Sequence, residues 1–327
     1  MRHLPRPTSF AAGFALFALA ISVRAEVSTL ETKAKAEREP ITVTAMIEVP
    51  SLDIGISPSD GNDFKGMNLK PNVRNSYGAG VAYKGYSFSF ALPVKQSSES
   101  IQRKGETNHL DFHFHRYWSD SGIDLAFADY QGFYVDGKDT AADESGVFEQ
   151  RADVRARQLG LTYFKILQPE NYHLQRNAEG VRTGFGHKGS WILMAGANHV
   201  RMSADKPLLT PGLMALDSYN QLHAGHFTSA VFGGGYGWES IFTDQHHMRM
   251  QLLLGFGPQY QTFETTAETF HRTVLSQKTA LNLGYAFHFR EWQMGFDLFY
   301  DQIKAALGSI DIETSTQAAV IFGRREF

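Results

Sequence analysis

Apolar and polar residues alternate with a period of two along most of the chain beyond residue 43. In YSFSFAL (86–92), aromatic and aliphatic residues take every second position, and serine or alanine takes the positions between. The same pattern recurs in MRMQLLLGF (248–256), TALNLGYAFHFR (279–290) and WQMGFDLFYD (292–301). Because successive side chains of a β-strand point to opposite faces, each segment predicts a strand with one apolar face.

The residues on the opposite face distinguish a soluble β-protein from a membrane barrel. A soluble strand would show Lys, Glu and Thr to water, whereas these faces hold mainly Gly, Ala, Ser, Asn and single charges, as a crowded lumen requires. Aromatic residues at strand ends, such as Trp118, Trp191, Trp238 and Trp292, match the interfacial girdles of a membrane barrel. The apolar positions that we expect to face lipid are Phe88, Phe90, Phe112, Phe114, Leu252, Leu254, Phe256, Leu283, Tyr285, Phe287, Phe296 and Leu298.

The connections between strands alternate in length, as they do in outer-membrane barrels. Short turns occur at 84–85 and 290–291, and longer polar stretches separate other strands. This spacing predicts an all-β fold, a transmembrane antiparallel up-and-down β-barrel of about twelve strands. The seventh strand, expected to begin near residue 172, is interrupted by glycines, so ten or fourteen strands are the alternatives. Long loops are predicted at about 58–74, 96–106, 136–150, 204–222, 264–275 and 305–310.

The first 25 residues have the parts of an export signal. A basic start, MRHLPRPTSF, precedes the apolar run AAGFALFALAISV, which is short for a membrane-spanning helix, and Ala25 suits cleavage. We predict a signal peptide over 1–25, a periplasmic N-terminal tail over 26–42 and an outer-membrane β-barrel over 43–327; a single membrane anchor is the alternative for the first segment. The chain has no cysteine, which excludes a lipoprotein anchor, disulfides and thiolate metal sites. These features suit the outer membrane of a Gram-negative bacterium.

The charge balance argues against a nucleic-acid partner. The chain has 34 acidic and 31 basic residues, a net charge of −3 at pH 7, and the signal peptide accounts for three of the arginines. The partners that we expect are outer-membrane lipids and lipopolysaccharide. Barrel-insertion machinery is a further expected partner, because it reads a C-terminal aromatic residue such as Phe327. In IFGRREF (321–327), Arg325 stands where an aromatic or aliphatic residue is usual, so this signal is imperfect.

Three histidines and one carboxylate alternate with apolar residues in HLDFHFHRYW (109–118). Side chains at i and i+2 of a strand point the same way about 7 Å apart, so His113 and His115 are candidates for a metal pair. A hydrated hydrogen-bond network inside the barrel explains them more simply, and we predict no cofactor. The residues predicted to line the lumen or pore are Lys84, Asp111, His113, His115, Asp124, Tyr130, Arg249, Asn282, His288, Arg290 and Asp297.

Several segments together resemble one family. In order along the chain they are NLKPN (68–72), YGAGVAYKGYSFSFAL (77–92), HLDFHFHRYW (109–118), GIDLAFADYQGFYVD (122–136) and RQLGLTYF (157–164). Their order and spacing are similar to those of the uncharacterised domain of unknown function family 4421, and HKGSWILMAG (187–196) resembles a later strand of that family. The resemblance implies an outer-membrane β-barrel and supplies no catalytic residues.

Two functions follow from these features. The mixed charges predicted for the lumen favour a passive small-solute channel or transporter, or an envelope barrel, of unknown solute. The alternative is an outer-membrane lipid-modifying hydrolase that uses a His/Asp site in the lumen or at the rim. No local motif pairs a serine with a histidine, so the sequence assigns no catalytic residue.

Overall fold

A computed structural model describes residues 41–58, 66–136, 146–172, 186–209, 221–243, 245–307 and 310–327. The predicted signal peptide and almost all of the predicted tail lie outside these ranges. Within them, no helix is both long and apolar enough to cross a membrane. The strands are β1 (Thr42–Pro58), β2 (Met67–Lys70), β3 (Ser76–Tyr83), β4 (Tyr86–Pro93), β5 (Asn108–Tyr117), β6 (Ser121–Asp136), β7 (Gln150–Ile166), β8 (Gly186–Ser203), β9 (Leu222–Ile241), β10 (His246–Thr265), β11 (Thr269–Phe289), β12 (Trp292–Leu307) and β13 (Ile310–Glu326), and helix α1 spans Ser98–Lys104.

The strands form one closed antiparallel sheet. From β3 to β13 each strand pairs with its neighbour in sequence, β2 pairs with β1 and β6, and β1 closes the ring by pairing with β13 from Thr42↔Glu326 to Pro58↔Ile310. Strands β2 and β3 both pair with β1 and share one place in the ring, so the barrel has twelve strand positions. The prediction of an up-and-down barrel of about twelve strands is confirmed.

The two ends of the barrel differ. The end that carries Ile41 and Phe327, which we call the termini end, also carries the turns after β3, β5, β9 and β11. At the opposite end, which we call the loop end, β2 pairs directly with β6. The shorter strands β4 and β5 do not reach this level, so ten strands surround the loop end and twelve surround the termini end. Because barrel diameter grows with strand number, the interior narrows toward the loop end.

Helix α1 covers the place where β4 and β5 stop. Ser97 caps the helix by accepting a hydrogen bond from the Ser100 amide at 3.2 Å. Buried Asn72, between β2 and β3, donates to the carbonyls of Ser100 at 3.1 Å and Gly105 at 2.6 Å. The stretch 96–106, predicted as a loop, therefore contains a helix that is tied to the break between β2 and β3.

Two predicted boundaries were wrong. The strand expected to begin near residue 172 begins at Gly186 as β8. The stretch 264–275 was predicted as a loop, but β10 continues to Thr265 and β11 begins at Thr269. The outward side chains Glu264, Thr269 and His271 are polar, so the apolar alternation ends here although backbone pairing continues to Glu264↔Thr269.

The outward face of the barrel is apolar around its middle. Phe256 is 52% exposed and Leu254 is 45% exposed, although both lie in the centre of long strands. A continuous belt of exposed apolar side chains is stable against lipid rather than water. The strand register places every residue that was predicted to face lipid on this outward side: Phe88, Phe90, Phe112, Phe114, Leu252, Leu254, Phe256, Leu283, Tyr285, Phe287, Phe296 and Leu298.

The interior of the loop end is filled with apolar side chains. Tyr130, Phe133 and Phe263 are its largest members, and each is at most 1% exposed. Together with residues from β1, β2, β7, β8, β9 and β13, and with Leu208 and Leu209 after β8, they form one contiguous group that we call the apolar plug. Its members are Leu52, Ile54, Ile56, Met67, Leu69, Ala128, Tyr130, Phe133, Val135, Val154, Ala156, Val200, Met202, Leu208, Leu209, Leu222, Phe227, Phe263 and Ile312.

Candidate functional site

A cavity of about 350 Å³ lies inside the barrel, and its wall combines apolar side chains with charged and polar ones. Its wall includes inward-facing positions of most strands, because residues at alternate positions of every strand face the axis. Seven of the residues predicted to line the lumen contribute to this wall: Asp111, His113, His115, Asp124, Arg249, Asn282 and Asp297.

Three neighbouring strands bring a serine, a histidine and a carboxylate side by side. In the strand register, Ser87 of β4 faces His115 of β5, and His115 faces Asp124 of β6. The His115 Nδ1 atom lies 2.9 Å from Asp124 Oδ1 and 3.1 Å from the Tyr117 hydroxyl. His113 stacks on His115, with ring centroids 6.3 Å apart. The Asp124 carboxylate thus fixes the orientation of the His115 ring through Nδ1. The other ring nitrogen, Nε2, takes no part in this contact.

Two carboxyl groups interact electrostatically where the cavity meets the apolar plug. Asp111 is 5% exposed and accepts a hydrogen bond from the Tyr130 hydroxyl at 2.7 Å. Glu48 of β1 is 6% exposed and interacts electrostatically with Asp111. Sequence analysis missed Glu48, although it is the single charge among the first residues of β1 and occupies the inward alternation.

Ion pairs lie toward the termini end of the cavity. Asp297 of β12 contacts Arg249 of β10 at 2.7 Å and Arg324 of β13 at 3.8 Å. Lys278 of β11 pairs with Asp301 of β12 nearer the middle of the barrel. Arg324 was also missed; it is two positions from Phe322 on the inward face, so the alternation of β13 could have identified it.

One hydrogen bond crosses the interior. The Thr316 hydroxyl of β13 donates to Gln158 Oε1 of β7 at 3.1 Å. These strands are six positions apart around the twelve-position ring. Opposite walls therefore touch at this level.

Comparison with known proteins identifies a family. A model of the domain of unknown function DUF4421 matches residues 34–322. The chain belongs to this family. No curated protein matches the chain.

Solved structures similar to this DUF4421 chain include bacterial membrane proteins. The outer membrane protease OmpT from Escherichia coli aligns over 88% of this chain and 97% of its own, with 7% identity and a TM-score of 0.39. The attachment invasion locus protein Ail of Yersinia pestis aligns over 87% and 99%, with 10% identity and a TM-score of 0.27. The Pseudomonas putida toluene transporter TodX aligns over 88% and 90%, with 7% identity and a TM-score of 0.31. At these values the likeness bears on no activity.

The remaining predicted lumen residues of the DUF4421 chain lie outside the cavity. Tyr130 is buried in the apolar plug, and His288 is buried at the termini end, where its ring lies 6.3 Å from that of His247. Lys84 and Arg290 correct the prediction, because they occupy the turns after β3 and β11 and are exposed. Both have positive φ angles, 51° and 55°, which a two-residue hairpin turn requires. Because they lie in turns, Lys84 and Arg290 do not follow the alternation of inward and outward side chains along the strands.

Metal ligation was also considered for His113 and His115. Within the described ranges, no group of three or more His, Asp or Glu side chains could hold a metal ion. The hydrogen-bond partners of His115 are Asp124 and Tyr117. The arrangement can exchange protons and bind polar groups without a metal.

Proposed function

We propose that this chain is an integral outer-membrane β-barrel with a closed lumen, an envelope barrel rather than an open diffusion channel. The observation that carries this proposal is the apolar plug, which draws side chains from eight strands into one buried cluster at the loop end. A solute that crosses a pore needs a continuous polar path wide enough for its hydration shell. The described part of the loop end offers buried apolar side chains instead.

The location follows from the outer surface and the first segment of the sequence. A closed ring of strands leaves no unpaired edge, and its apolar outer belt suits a bilayer. The export signal supports delivery beyond the inner membrane. With short turns toward the periplasm, the termini end faces the periplasm and the loop end faces the cell exterior.

Three further contacts support closure. The Thr316–Gln158 hydrogen bond joins opposite walls at 3.1 Å, and Arg249, Asp297 and Arg324 form a cluster of buried ion pairs nearer the termini end. The cavity between these features and the apolar plug is wide enough for waters or a small polar molecule. Several of its polar groups pair with one another inside the barrel, such as His115 with Asp124 and Arg249 with Asp297.

Conductance measurements test the proposal. The protein, refolded into vesicles and checked for the heat-modifiable gel shift of folded barrels, is added to a planar bilayer, with a known porin as the positive control. We expect the bilayer to remain sealed. Stable conductance steps from folded protein would overturn the closed-lumen proposal and favour the channel.

A second candidate function is the lipid-modifying hydrolase, and one observation favours it. Ser87, His115 and Asp124 lie in that order across three adjacent strands, and all three line the cavity. Directly opposed residues of an antiparallel pair have Cβ atoms about 4.5–5.5 Å apart, so a rotation of Ser87 brings its hydroxyl toward His115. In an acyl transfer, Ser87 Oγ would add to an ester carbonyl carbon, His115 would take the hydroxyl proton and return it to the leaving oxygen, and water would then release the acyl group.

A serine-directed fluorophosphonate probe tests this second candidate. Labelling of the wild type that is lost in Ser87→Ala would support a nucleophilic serine. Ser89→Ala is the matched control, because Ser89 faces His113, which lies opposite Ala126 rather than a carboxylate. Equal labelling of the wild type and Ser87→Ala, or none in either, would exclude Ser87 as a nucleophile.

A further inference from the structure

Basic side chains meet on the outer surface of β7, β8 and β9 near the loop end. In the strand register Arg157 faces Arg201, and Arg201 faces His226. Arg155 lies two positions farther along β7 on the same face. We call these four residues the arginine patch. They are outward-facing because their neighbours Ala156, Val200 and Phe227 are buried in the interior.

Two carboxylates lie near the arginine patch, Asp129 and Glu264, the latter 3.6 Å from His226 Nε2, and the three arginines exceed them by one positive charge. Asp129 of β6 accepts two hydrogen bonds from Arg155, at 2.8 and 2.5 Å, and a third from Arg157 at 3.2 Å. Arg201 is exposed and makes no ion pair within the described ranges. Like charges placed directly opposite each other on neighbouring strands destabilise a sheet. An anion from outside the chain would therefore reduce the repulsion between Arg157 and Arg201.

The height of the arginine patch on the barrel matches a lipid headgroup layer. Along the outward face of β7, Lys165 and Arg157 bracket Tyr163, Leu161 and Leu159, which are all more than 40% exposed. Eight residues of strand span about 26 Å, or about 20 Å of height at a tilt of about 40°. This is close to the apolar band of about 25 Å of outer-membrane barrels. Arg157 thus lies at one boundary of the band and Lys165 at the other.

On β7 an apolar surface continues directly below the arginine patch, whereas on β8 and β9 the next outward residues are His199 and Thr228, whose Nδ1 atom and hydroxyl lie 2.9 Å apart. Leu159 and Leu161 of β7 are each 47% exposed, and Leu161 faces Ala197 of β8. A ligand that satisfies both surfaces has an anionic head and hydrocarbon chains. A soluble anion would bind the arginines but would leave the apolar surface uncovered.

We infer that the arginine patch binds the phosphate of a phosphorylated glycolipid in the outer leaflet, whose acyl chains lie along Leu159 and Leu161. Arginine suits this role, because its planar guanidinium donates two parallel hydrogen bonds to a phosphate. His226 borders the site and adds a further donor. This inference rests on the proposed outer-membrane location, with the loop end facing the cell exterior.

Binding of defined glycolipids tests the inference. The folded protein in a non-ionic detergent is titrated with diphosphorylated lipid A, with the same lipid A after enzymatic removal of its phosphates, and with inorganic phosphate. Bound lipid is counted by native mass spectrometry. We expect binding of the phosphorylated lipid, at least ten-fold weaker binding of the dephosphorylated lipid, and none of inorganic phosphate at matched concentrations.

Two variants locate the site. Arg157→Gln/Arg201→Gln should weaken binding of phosphorylated lipid A at least ten-fold. Lys304→Gln is the matched control, since Lys304 is also outward-facing and exposed near the loop end but lies on β12. Equal affinity of the wild type and the double variant, or equal affinity for both lipids, would overturn the inference.

The same preparations separate this inference from the proposed location. A protein that inserts into vesicles and shows the gel shift but ignores the lipid phosphates contradicts the arginine patch alone. A protein that refolds in water without vesicles or detergent contradicts the membrane barrel itself. Misfolding of the double variant would be seen as loss of the gel shift, and Arg201→Gln alone then replaces it in the comparison with Lys304→Gln.

Discussion

Removal of the Asp297 carboxylate should destabilise the barrel strongly. The Asp297 side chain is 5% exposed, and its oxygens lie 2.7 Å from Arg249 and 3.8 Å from Arg324, whose side chains are 16% and 14% exposed. In Asp297→Ala, two positive charges remain in the interior without the carboxylate that both contact. Breaking a buried pair by removal of one partner costs about 3–5 kcal/mol, so we expect a loss of that order in the free energy of unfolding.

Urea unfolding in detergent micelles measures this loss. The four tryptophans report unfolding by fluorescence, and the heat-modifiable gel shift reports the folded fraction independently. Glu291→Gln is the control, because Glu291 is 66% exposed and pairs with Arg325 at 3.1 Å on the surface. An exposed pair contributes at most about 1 kcal/mol, so the control should unfold close to the wild type.

A charge-specific variant separates electrostatics from packing. Asp297→Asn retains the volume of the side chain and removes its charge, so it should lose nearly as much stability as Asp297→Ala. A loss below about 1 kcal/mol in both variants, as for an exposed pair, would show that water reaches these arginines and would refute the reasoning. If Asp297→Ala loses much stability and Asp297→Asn does not, the loss would come from the space left by the missing side chain.

Three further predictions concern packing. Gly235→Ala should lower the free energy of unfolding in urea by about 1–3 kcal/mol, because the added Cβ would lie 1.8 Å from a backbone oxygen of β10. Gly323→Ala is the control and should unfold like the wild type, because the space around Gly323 is open. Phe263→Ala should cost about 3–5 kcal/mol by enlarging a space within the apolar plug. Phe256→Ala, at a 52% exposed outward site, should cost less in the same assay. Asn72→Ala should speed amide hydrogen exchange in α1 measured by mass spectrometry; unchanged exchange would show that its hydrogen bonds do not hold the helix.

The sequence by itself determined the strands and the face on which each side chain lies. Phe112 and Phe114 point outward and His113 and His115 inward, because side-chain direction alternates along any strand and needs no knowledge of the partner strands. The same local property explains why Lys84 failed as a lumen residue. The alternation ends where a turn begins, and a positive φ angle belongs to the turn.

Only the tertiary structure decided what the inward side chains meet. Glu48 approaches Asp111, and Thr316 reaches Gln158, across strands that are far apart in sequence. Such contacts depend on the radius and register of the closed ring, and the direct β2–β6 pairing, which narrows one end to ten strands, sets that radius. Alternation along a strand is local, but the filling of a barrel depends on all strands at once, so the sequence predicted which side chains face inward and the structure decided which of them meet.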